Sequence, residues 1–199
     1  MARRTAKADK LPKPGRLRIV AGNWRSRLLR IAAVPGLRPT SERIRETLFN
    51  WLAPRIAGAR CLDLFAGTGA LGFEALSRGA AAAVFVEQSP EAANALRGSI
   101  DALDAKGAQV RQMDALAYLR TSTSDKFDIV FLDPPFAADN LADLCRLLAE
   151  SSMLMADAWV YIEQDSNRPL PELPDGWRVL KSKTAGNVRY SLVNSASNG

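Results

Sequence analysis

Two acidic motifs carry the residue types that could perform chemistry in this chain. Asp63 follows the short apolar run Cys61-Leu62 and precedes the glycine turn Gly67-Thr68-Gly69. Asp133-Pro134-Pro135-Phe136 follows a longer apolar run, Phe127 to Leu132. An acid before a glycine turn suits the polar head of a cofactor, and an acid with two prolines and an aromatic ring suits a flat base that bears an amine. Together the motifs predict transfer of a methyl group from S-adenosylmethionine to a nucleobase nitrogen.

The elements that must position these motifs alternate between strand and helix from Arg60 onward. The hydrophobic pattern predicts strands over 60–65, 83–87, 108–113, 127–132 and 159–163, helices over 70–78, 90–104, from 115, and 140–151, and a closing hairpin of 177–184 and 188–193. We therefore predict an α/β fold with a doubly wound, mostly parallel seven-stranded sheet and an antiparallel C-terminal hairpin. Ligands bind outside the carboxyl ends of strands in such sheets, where both motifs lie.

The residues before this sheet predict a small N-terminal extension. Short strands over 17–21 and 27–31 form a basic β-hairpin, and Trp24 at its turn could cap the hairpin or stack on a base. Ser41 then starts a helix, whose spacing leaves Arg43 and Arg45 on other sides than the core. The chain thus divides into a basic tail (1–15), the extension (16–58), a Rossmann-like domain (59–194) and a short tail (195–199).

Composition narrows the class of protein. The 199 residues are 47% hydrophobic, enough for one catalytic domain with a sizeable core. No apolar stretch approaches the roughly 18 residues of a membrane span, and no secretory signal is evident, so we expect a cytoplasmic protein that does not bind a membrane. Cys61 and Cys145 have no metal-ligand spacing and are expected to be reduced and buried. The chain has no histidine, which excludes histidine-ligated zinc and leaves carboxylates as candidate bases. No metal is expected.

Positive charge is concentrated at the N-terminus. The net charge is +6, but residues 1–30 hold ten lysines and arginines against Asp9 alone, so the remainder is acidic. A basic arm on an acidic body is typical of a polyanion binder, although residues 1–15 could also be a solubilising tail. We expect RNA contacts from the arginines of the extension, namely Arg16, Arg18, Arg25 and Arg27.

The glycine motif leaves two classes of cofactor open. Gly67-Thr68-Gly69-Ala70-Leu71-Gly72 and the later Glu87 also satisfy the dinucleotide fingerprint, so a nicotinamide oxidoreductase is an alternative. Asp63 argues against it, because a carboxylate would repel a pyrophosphate but could bind the ammonium group of S-adenosylmethionine. Glu87 suits the ribose hydroxyls in either case. Asp114 could contact the adenine amine or cap the helix that follows.

The Asp-Pro-Pro-Phe motif suits an aromatic amine, whose lone pair is delocalised into its ring. Hydrogen bonds from the amine to Asp133 and to the carbonyl of Pro134 would turn the lone pair toward the methyl group. Pro135 would help to hold the loop extended, and Phe136 would stack on the base. A base in folded RNA or a duplex must swing out to enter such a pocket.

Several motifs together resemble one bacterial family. They are Arg38-Pro39-Thr40, Arg43, Arg45-Glu46-Thr47-Leu48-Phe49-Asn50, Leu62 to Gly72, Glu74-Ala75, Ser77-Arg78-Gly79-Ala80, Asp133 to Phe136 and Ala185-Gly186-Asn187. This pattern resembles the 16S ribosomal RNA guanine-N2 methyltransferases of the RsmD type from about residue 18 to residue 193. The Arg-Pro-Thr and Arg-Glu-Thr-Leu-Phe-Asn stretches are much narrower than the other motifs and decide the family.

The resemblance implies a class I methyltransferase that converts S-adenosylmethionine to S-adenosylhomocysteine. Its acceptor would be a guanine of 16S rRNA in the small ribosomal subunit, met in an assembled particle, and the protein would be a monomer. It implies a catalytic group of Asp133, Pro134, Pro135 and Phe136, a cofactor site of Asp63, Phe65, Ala66, Gly67, Thr68, Gly69, Glu87 and Asp114, and RNA contacts from Arg38 and Arg43. Two alternatives stay open, a DNA adenine-N6 methyltransferase and a non-catalytic RNA-binding assembly factor.

Overall fold

The structure is a computed structural model that describes residues 15–34, 37, 39–121, 123–135 and 140–195. Three of the sequence predictions lie outside these residues: the tail before residue 15, the RNA contact of Arg38 and the stacking role of Phe136. Within the described part of the chain, no helix is both long and apolar enough to cross a membrane.

A seven-stranded mixed sheet forms the centre of the molecule, as the sequence predicts. Its strands are β3 (Arg60–Asp63), β4 (Ala82–Glu87), β5 (Ala108–Gln112), β6 (Phe127–Leu132), β7 (Leu154–Asp165), β8 (Arg178–Ala185) and β9 (Val188–Asn194). Their order is β5-β4-β3-β6-β7-β9-β8. The first five strands in this order pair in parallel with their neighbours, while β9 pairs antiparallel with both β7 and β8. The α/β fold and the antiparallel C-terminal hairpin are therefore confirmed.

In the described part of the chain, one helix precedes these strands and four helices connect them. They are α1 (Glu42–Leu52), α2 (Ala70–Ser77), α3 (Pro90–Leu103), α4 (Ala115–Leu119) and α5 (Leu141–Glu150). Side-chain oxygens cap three of them, because Ser41, Ser89 and Asp114 each accept a hydrogen bond from an N–H of the first helical turn. Gly69 precedes α2 with a φ of 74°, a left-handed conformation that glycine adopts without strain.

The N-terminal hairpin is shorter than its sequence predicts. Strands β1 (Arg16–Arg18) and β2 (Leu28–Arg30) pair antiparallel over only three residues each. The reason is that the N–H groups of Val20 and Ala21 donate to the carboxylate of Glu74, at 2.8 and 3.0 Å, instead of continuing the strand. Strand β7 is longer than predicted, because its second half pairs with β9 from Trp159 to Asp165 and its first residues reach back to β6.

Two layers of apolar side chains cover the sheet. Residues of α1, α2 and α3 pack on one face, together with Cys61, Phe131 and Tyr161. Residues of α4 and α5 pack on the other face, together with Leu62 and Val130. Side chains alternate between the two faces of a strand. The residues two positions after Cys61, Phe131 and Tyr161 therefore lie on the same face as these three, the face covered by α1 and α2.

The predicted orientation of Arg45 is wrong. This arginine is 1% exposed, and its guanidinium lies 3.0 Å from Glu74 Oε2 on α2. It also donates to the carbonyl of Arg18 at 2.8 Å and to the carbonyl of Thr40 at 3.2 Å. Helical spacing alone cannot predict that a charged residue is buried when its ion-pair partner lies on another helix. Arg45 thus fastens the extension to the sheet domain.

Candidate functional site

Three carboxyl groups lie at the carboxyl ends of three neighbouring strands. Asp63 ends β3, Asp133 follows β6, and Glu163 lies near the end of β7, in the next register position beyond the pair Leu132–Ile162. All three line one cavity of about 880 Å³. This volume lies within the range of small-molecule sites, roughly 300–1,000 Å³, and strand ends are the usual place for them in such sheets.

Asp63 is buried and bound by one backbone group. The N–H of Gly72, in the first turn of α2, donates to its Oδ2 at 3.0 Å. Burial raises the pKa of Asp63 to about 7, with smaller contributions from the charges of Asp133 and Glu87. A cationic group that entered the cavity would favour the ionised carboxylate. The site therefore suits an ammonium group.

The glycine turn and Glu87 form one side of the same cavity. Gly67 has a φ of 50°, and a Cβ there would approach Leu37 to 2.8 Å, so the turn accepts only glycine without movement. Its N–H donates to Glu87 Oε2 at 2.9 Å, and the N–H of Ser89 donates to Oε1 at 2.7 Å. Both carboxylate oxygens keep further acceptor capacity for a ligand. The structure thus brings Phe65, Ala66, Gly67, Thr68 and Glu87 together around the cavity, with Gly69 supporting the turn.

Asp114 serves as a helix cap and also lines the cavity. Its Oδ1 accepts from the N–H of Ala117 at 2.9 Å, which starts α4. Met113 and Ala115 flank it on the cavity wall and supply apolar surface. The two roles that the sequence leaves open are therefore compatible in space.

Asp133 and Pro134 follow β6 and line the same cavity as the glycine turn. The hydroxyl of Thr40 donates to Asp133 Oδ2 at 3.3 Å, so the extension reaches the end of β6. Burial raises the pKa of Asp133 to about 6, while the Thr40 hydrogen bond opposes the shift. Pro134 is buried and Pro135 is exposed, and both line the cavity.

Glu163 is the residue that the sequence reasoning missed. It is 5% exposed, and the hydroxyl of Tyr161 donates to its Oε2 at 2.6 Å. Burial, followed by the charge of Asp133, raises the pKa of Glu163 to about 8. A signal was present, because Phe131-Leu132-Asp133 and Tyr161-Ile162-Glu163 share the pattern aromatic, aliphatic, acidic at the ends of two predicted strands.

The predicted RNA-binding arginines of the described chain all lie on the surface. Arg16, Arg18, Arg25, Arg27 and Arg43 are exposed. Two have partners within the protein: Arg18 lies 3.6 Å from Glu42, and Arg27 donates to the carbonyl of Ala102 at 3.1 Å. The structure therefore leaves their contact with RNA as a prediction.

Three further sequence predictions concern Trp24, the cysteines and metals. The side chain of Trp24 packs partly against the core, which favours the capping role, and its backbone N–H donates to Ser77 Oγ at 2.9 Å. Cys61 and Cys145 are buried free thiols, as predicted, and burial raises the pKa of both. In the described ranges, no cluster of three acidic or cysteine side chains could hold a metal ion.

Comparison with known proteins agrees with this geometry. The sequence model of the family described as conserved hypothetical protein 95 matches residues 17–194. Ribosomal RNA small subunit methyltransferase D of Escherichia coli K12 is 42% identical over 185 residues, which cover 93% of each chain. The structure of a putative methyltransferase, yhhF from Escherichia coli, superposes with a TM-score of 0.84 at 40% identity, over 92% of this chain and 99% of that one.

A more distant structure shares the fold alone. SMU.776, a putative methyltransferase complexed with SAH, superposes with a TM-score of 0.71 at 15% identity, over 95% of this chain and 58% of that one. The sheet order, the two acidic strand ends and the near relatives lead to one assignment. The chain belongs to the RsmD family of class I methyltransferases.

Proposed function

We propose that this chain transfers a methyl group from S-adenosylmethionine to the exocyclic N2 of a guanine in 16S rRNA, within an assembled small-subunit particle. One observation carries the proposal: Asp133 and Pro134 line the same cavity as Asp63, Glu87 and the glycine turn. A site for an ammonium-bearing donor and a site for an amine acceptor are therefore continuous.

The cavity fits the proposed donor group by group. Asp63 suits the ammonium of the methionine part, Glu87 suits the two ribose hydroxyls, and Asp114 suits the adenine amine. Met113 and Ala115 offer apolar surface to the adenine ring. S-adenosylmethionine, when bound, supplies a methyl group on a sulfonium, which is a leaving group that needs no protonation.

At the acceptor side, Asp133 and Pro134 would orient the amine. The carboxylate of Asp133 and the carbonyl of Pro134 accept its two N–H bonds, so that the nitrogen lone pair faces the methyl carbon. As the new carbon–nitrogen bond forms and the carbon–sulfur bond breaks, the nitrogen becomes cationic. Asp133 then accepts the surplus proton, which its raised pKa of about 6 favours.

Two observations favour ribosomal RNA as the acceptor. The near relative from Escherichia coli is named as a methyltransferase of small-subunit ribosomal RNA. Arg43 is exposed on α1 between Ser41 and Ile44, which both line the cavity. Phosphate contacts of Arg43 would therefore form close to the acceptor site, whereas Arg25 lies on the hairpin turn that packs against the C-terminal end of α2. The relatives give the DNA adenine alternative no support.

The test compares three acceptors with a labelled donor. Small subunits, naked 16S rRNA and duplex DNA are incubated with the protein, and the methylated nucleoside is identified after digestion. We expect N2-methylguanosine from small subunits and less from naked rRNA. Labelling confined to DNA, or a product other than N2-methylguanosine, would overturn the proposal.

A variant pair assigns the acceptor residue. Asp133→Ala should lower turnover by about 100-fold or more, because it removes both orientation and the proton acceptor, while donor affinity stays near normal. Asp143→Ala is the matched control, because this aspartate is exposed on α5, outside the residues that line the cavity. Full turnover by Asp133→Ala would refute the proposed role of Asp133 at the acceptor amine.

A further inference from the structure

The proposed reaction uses Asp133 and Pro134 but leaves Glu163 without a role. Glu163 lies one strand away from Asp133, in the register position that follows Leu132–Ile162. Both side chains follow an aromatic residue of the α1–α2 face by two positions, and both line the cavity. A buried carboxyl at an acceptor site, beside another acid, requires a physical explanation.

Tyr161 holds Glu163 in one orientation. The hydroxyl of Tyr161 donates to Oε2 at 2.6 Å, and both side chains are buried on the same strand. Oε2 accepts this bond and keeps a second lone pair, and Oε1 has no partner among the described residues, so both oxygens can bind a ligand. Glu163 also lines a second cavity, of about 490 Å³, together with Pro134 and Pro135. Glu163 therefore lies where the two cavities adjoin, beside Pro134 and Pro135, and the second cavity offers further space for a base.

This inference rests on the proposed function. We propose that Glu163 binds the lactam edge of the acceptor guanine, at N1–H and O6, while Asp133 and Pro134 hold the neighbouring amine. Glu163 then acts as a residue that selects guanine, and Tyr161 positions it.

A neutral carboxylic acid is the matching partner for a lactam. Its carbonyl oxygen accepts the N1–H and its O–H donates to O6, so the two groups form a cyclic pair with no unpaired donor. With its amine held at Asp133 and Pro134, adenine presents an unprotonated N1 and a C–H in place of the carbonyl, so it would form only one of these two bonds. A site whose buried polar groups stay unpaired rejects the wrong base.

The surroundings of Glu163 favour its neutral form. Asp133 faces it from the end of β6, Tyr161 donates to it from its own strand, and Tyr190 lies opposite it on β9. Asp63 lines the same cavity from β3. Burial and the charge of Asp133 raise the pKa of Glu163 to about 8, so most molecules carry its proton at pH 7.

The experiment compares Glu163→Gln with Glu163→Leu in single-turnover labelling of small subunits taken from cells that lack the enzyme. An amide has a donor and an acceptor like the neutral acid, whereas leucine has neither. We expect Glu163→Gln to keep the rate at pH 7 within about five-fold and Glu163→Leu to lose about 100-fold. Between pH 7 and 8.8, the wild-type rate should fall as Glu163 ionises, and the rate of Glu163→Gln should not.

Donor affinity and the melting temperature separate this role from a structural one. Donor affinity should change little in either variant, since Asp63 and Glu87 remain, and Glu163→Gln should keep a melting temperature near wild type, since its amide oxygen can still accept from Tyr161. A wild-type rate in Glu163→Leu, an equal loss in both variants, or the same alkaline decline in Glu163→Gln would overturn the inference. A loss of donor affinity that matches the loss of turnover would overturn it as well. Absence of labelling by the wild-type protein would instead overturn the proposed function, on which the inference depends.

Discussion

Two groups of carboxyls in this molecule, all buried or half-buried, have opposite surroundings. Glu74 on α2 is fully buried, and two arginines and two backbone N–H groups donate to it. Among the described residues, Asp63, Asp133 and Glu163 at the strand ends accept from the neutral donors Gly72, Thr40 and Tyr161, respectively, and from no cation. The carboxylate of Glu74 thus has protein donors on both oxygens, which makes it a saturated ion pair. The strand-end carboxyls keep oxygen lone pairs that can accept from a ligand.

The difference separates a structural acid from acids that await a ligand. The oxygens of Glu74 bind Arg45 at 3.0 Å and Arg78 at 2.8 Å, so the negative charge is compensated inside the protein. Burial raises the pKa of each strand-end acid, which means that the protein alone does not stabilise the charge there. Groups of this kind are enriched at functional sites, because substrates and cofactors supply the missing partners.

The largest effect should come from breaking the saturated pair. Arg45→Met leaves Glu74 buried with one guanidinium fewer, and removal of one partner of a buried ion pair costs about 3–5 kcal/mol of unfolding free energy. Denaturant unfolding followed by circular dichroism measures it. Arg43→Met, an exposed arginine on the same helix, is the control and should change stability little. Equal stability of the two variants would contradict the structural role of the pair.

Asp63→Asn should weaken donor binding and leave stability nearly unchanged, in contrast to Arg45→Met, which should lower stability. The amide oxygen can still accept from the N–H of Gly72, so stability should stay close to wild type. Affinity for S-adenosylmethionine should fall about 10-fold or more, because a charged hydrogen bond to the ammonium is lost. Calorimetry measures both quantities, with Asp101→Asn on the exposed side of α3 as control. Unchanged donor affinity would remove Asp63 from the cofactor site.

The strand-end acids should also make stability depend on pH. Their pKa values in the folded protein, about 6, 7 and 8, exceed those of ordinary carboxyls near 4, so the folded state binds more protons than the unfolded state. The unfolding free energy should therefore decrease as the pH rises from about 5 to 8.5. Melting temperatures across this range test the sign. The double variant Asp63→Asn, Glu163→Gln should show a flatter curve, and an identical slope would contradict the assignment.

The smallest effect should come from the basic tail, residues 1–15. Residues 1–15 carry five lysines and arginines against one aspartate. Their deletion should weaken RNA affinity modestly and lower the salt slope of log affinity by up to about 0.7 for each lost phosphate contact. Binding to small subunits at several salt concentrations measures this slope. A tail of equal length with glutamine at the five basic positions controls for chain length. An unchanged slope would show that the tail does not contact RNA.

Local sequence patterns predicted most residues of the candidate site but missed Glu163. Asp63 and the glycine turn form a contiguous motif, and so do Asp133 and Pro134, so the sequence alone locates them at strand ends. Glu163 lies outside both motifs, and the pattern that it shares with Asp133 gains meaning only from the register of β7 beside β6. The period of two in a strand would have placed it on the correct face, but not at the level of Asp133.

The same limit explains the error at Arg45. Helical spacing correctly predicts that Ile44 and Leu48 are buried, but it assigns a charged residue to the surface by default. The partner of Arg45 is Glu74, 29 positions later, in the stretch that the glycine motif introduces. Only the packing of α1 against α2 brings the two together. Sequence patterns thus report faces of elements well, and contacts between elements poorly.

The hydrogen bond from Thr40 to Asp133 has a consequence for engineering. Arg45 Nε donates to the carbonyl of Thr40, so the loop that supplies this hydroxyl is anchored in the interior through Glu74. A truncated enzyme that starts at β3 would lose both the anchor and the donor. A chimera that exchanges substrate preference between relatives should therefore transplant residues 16–52 and the sheet as one unit.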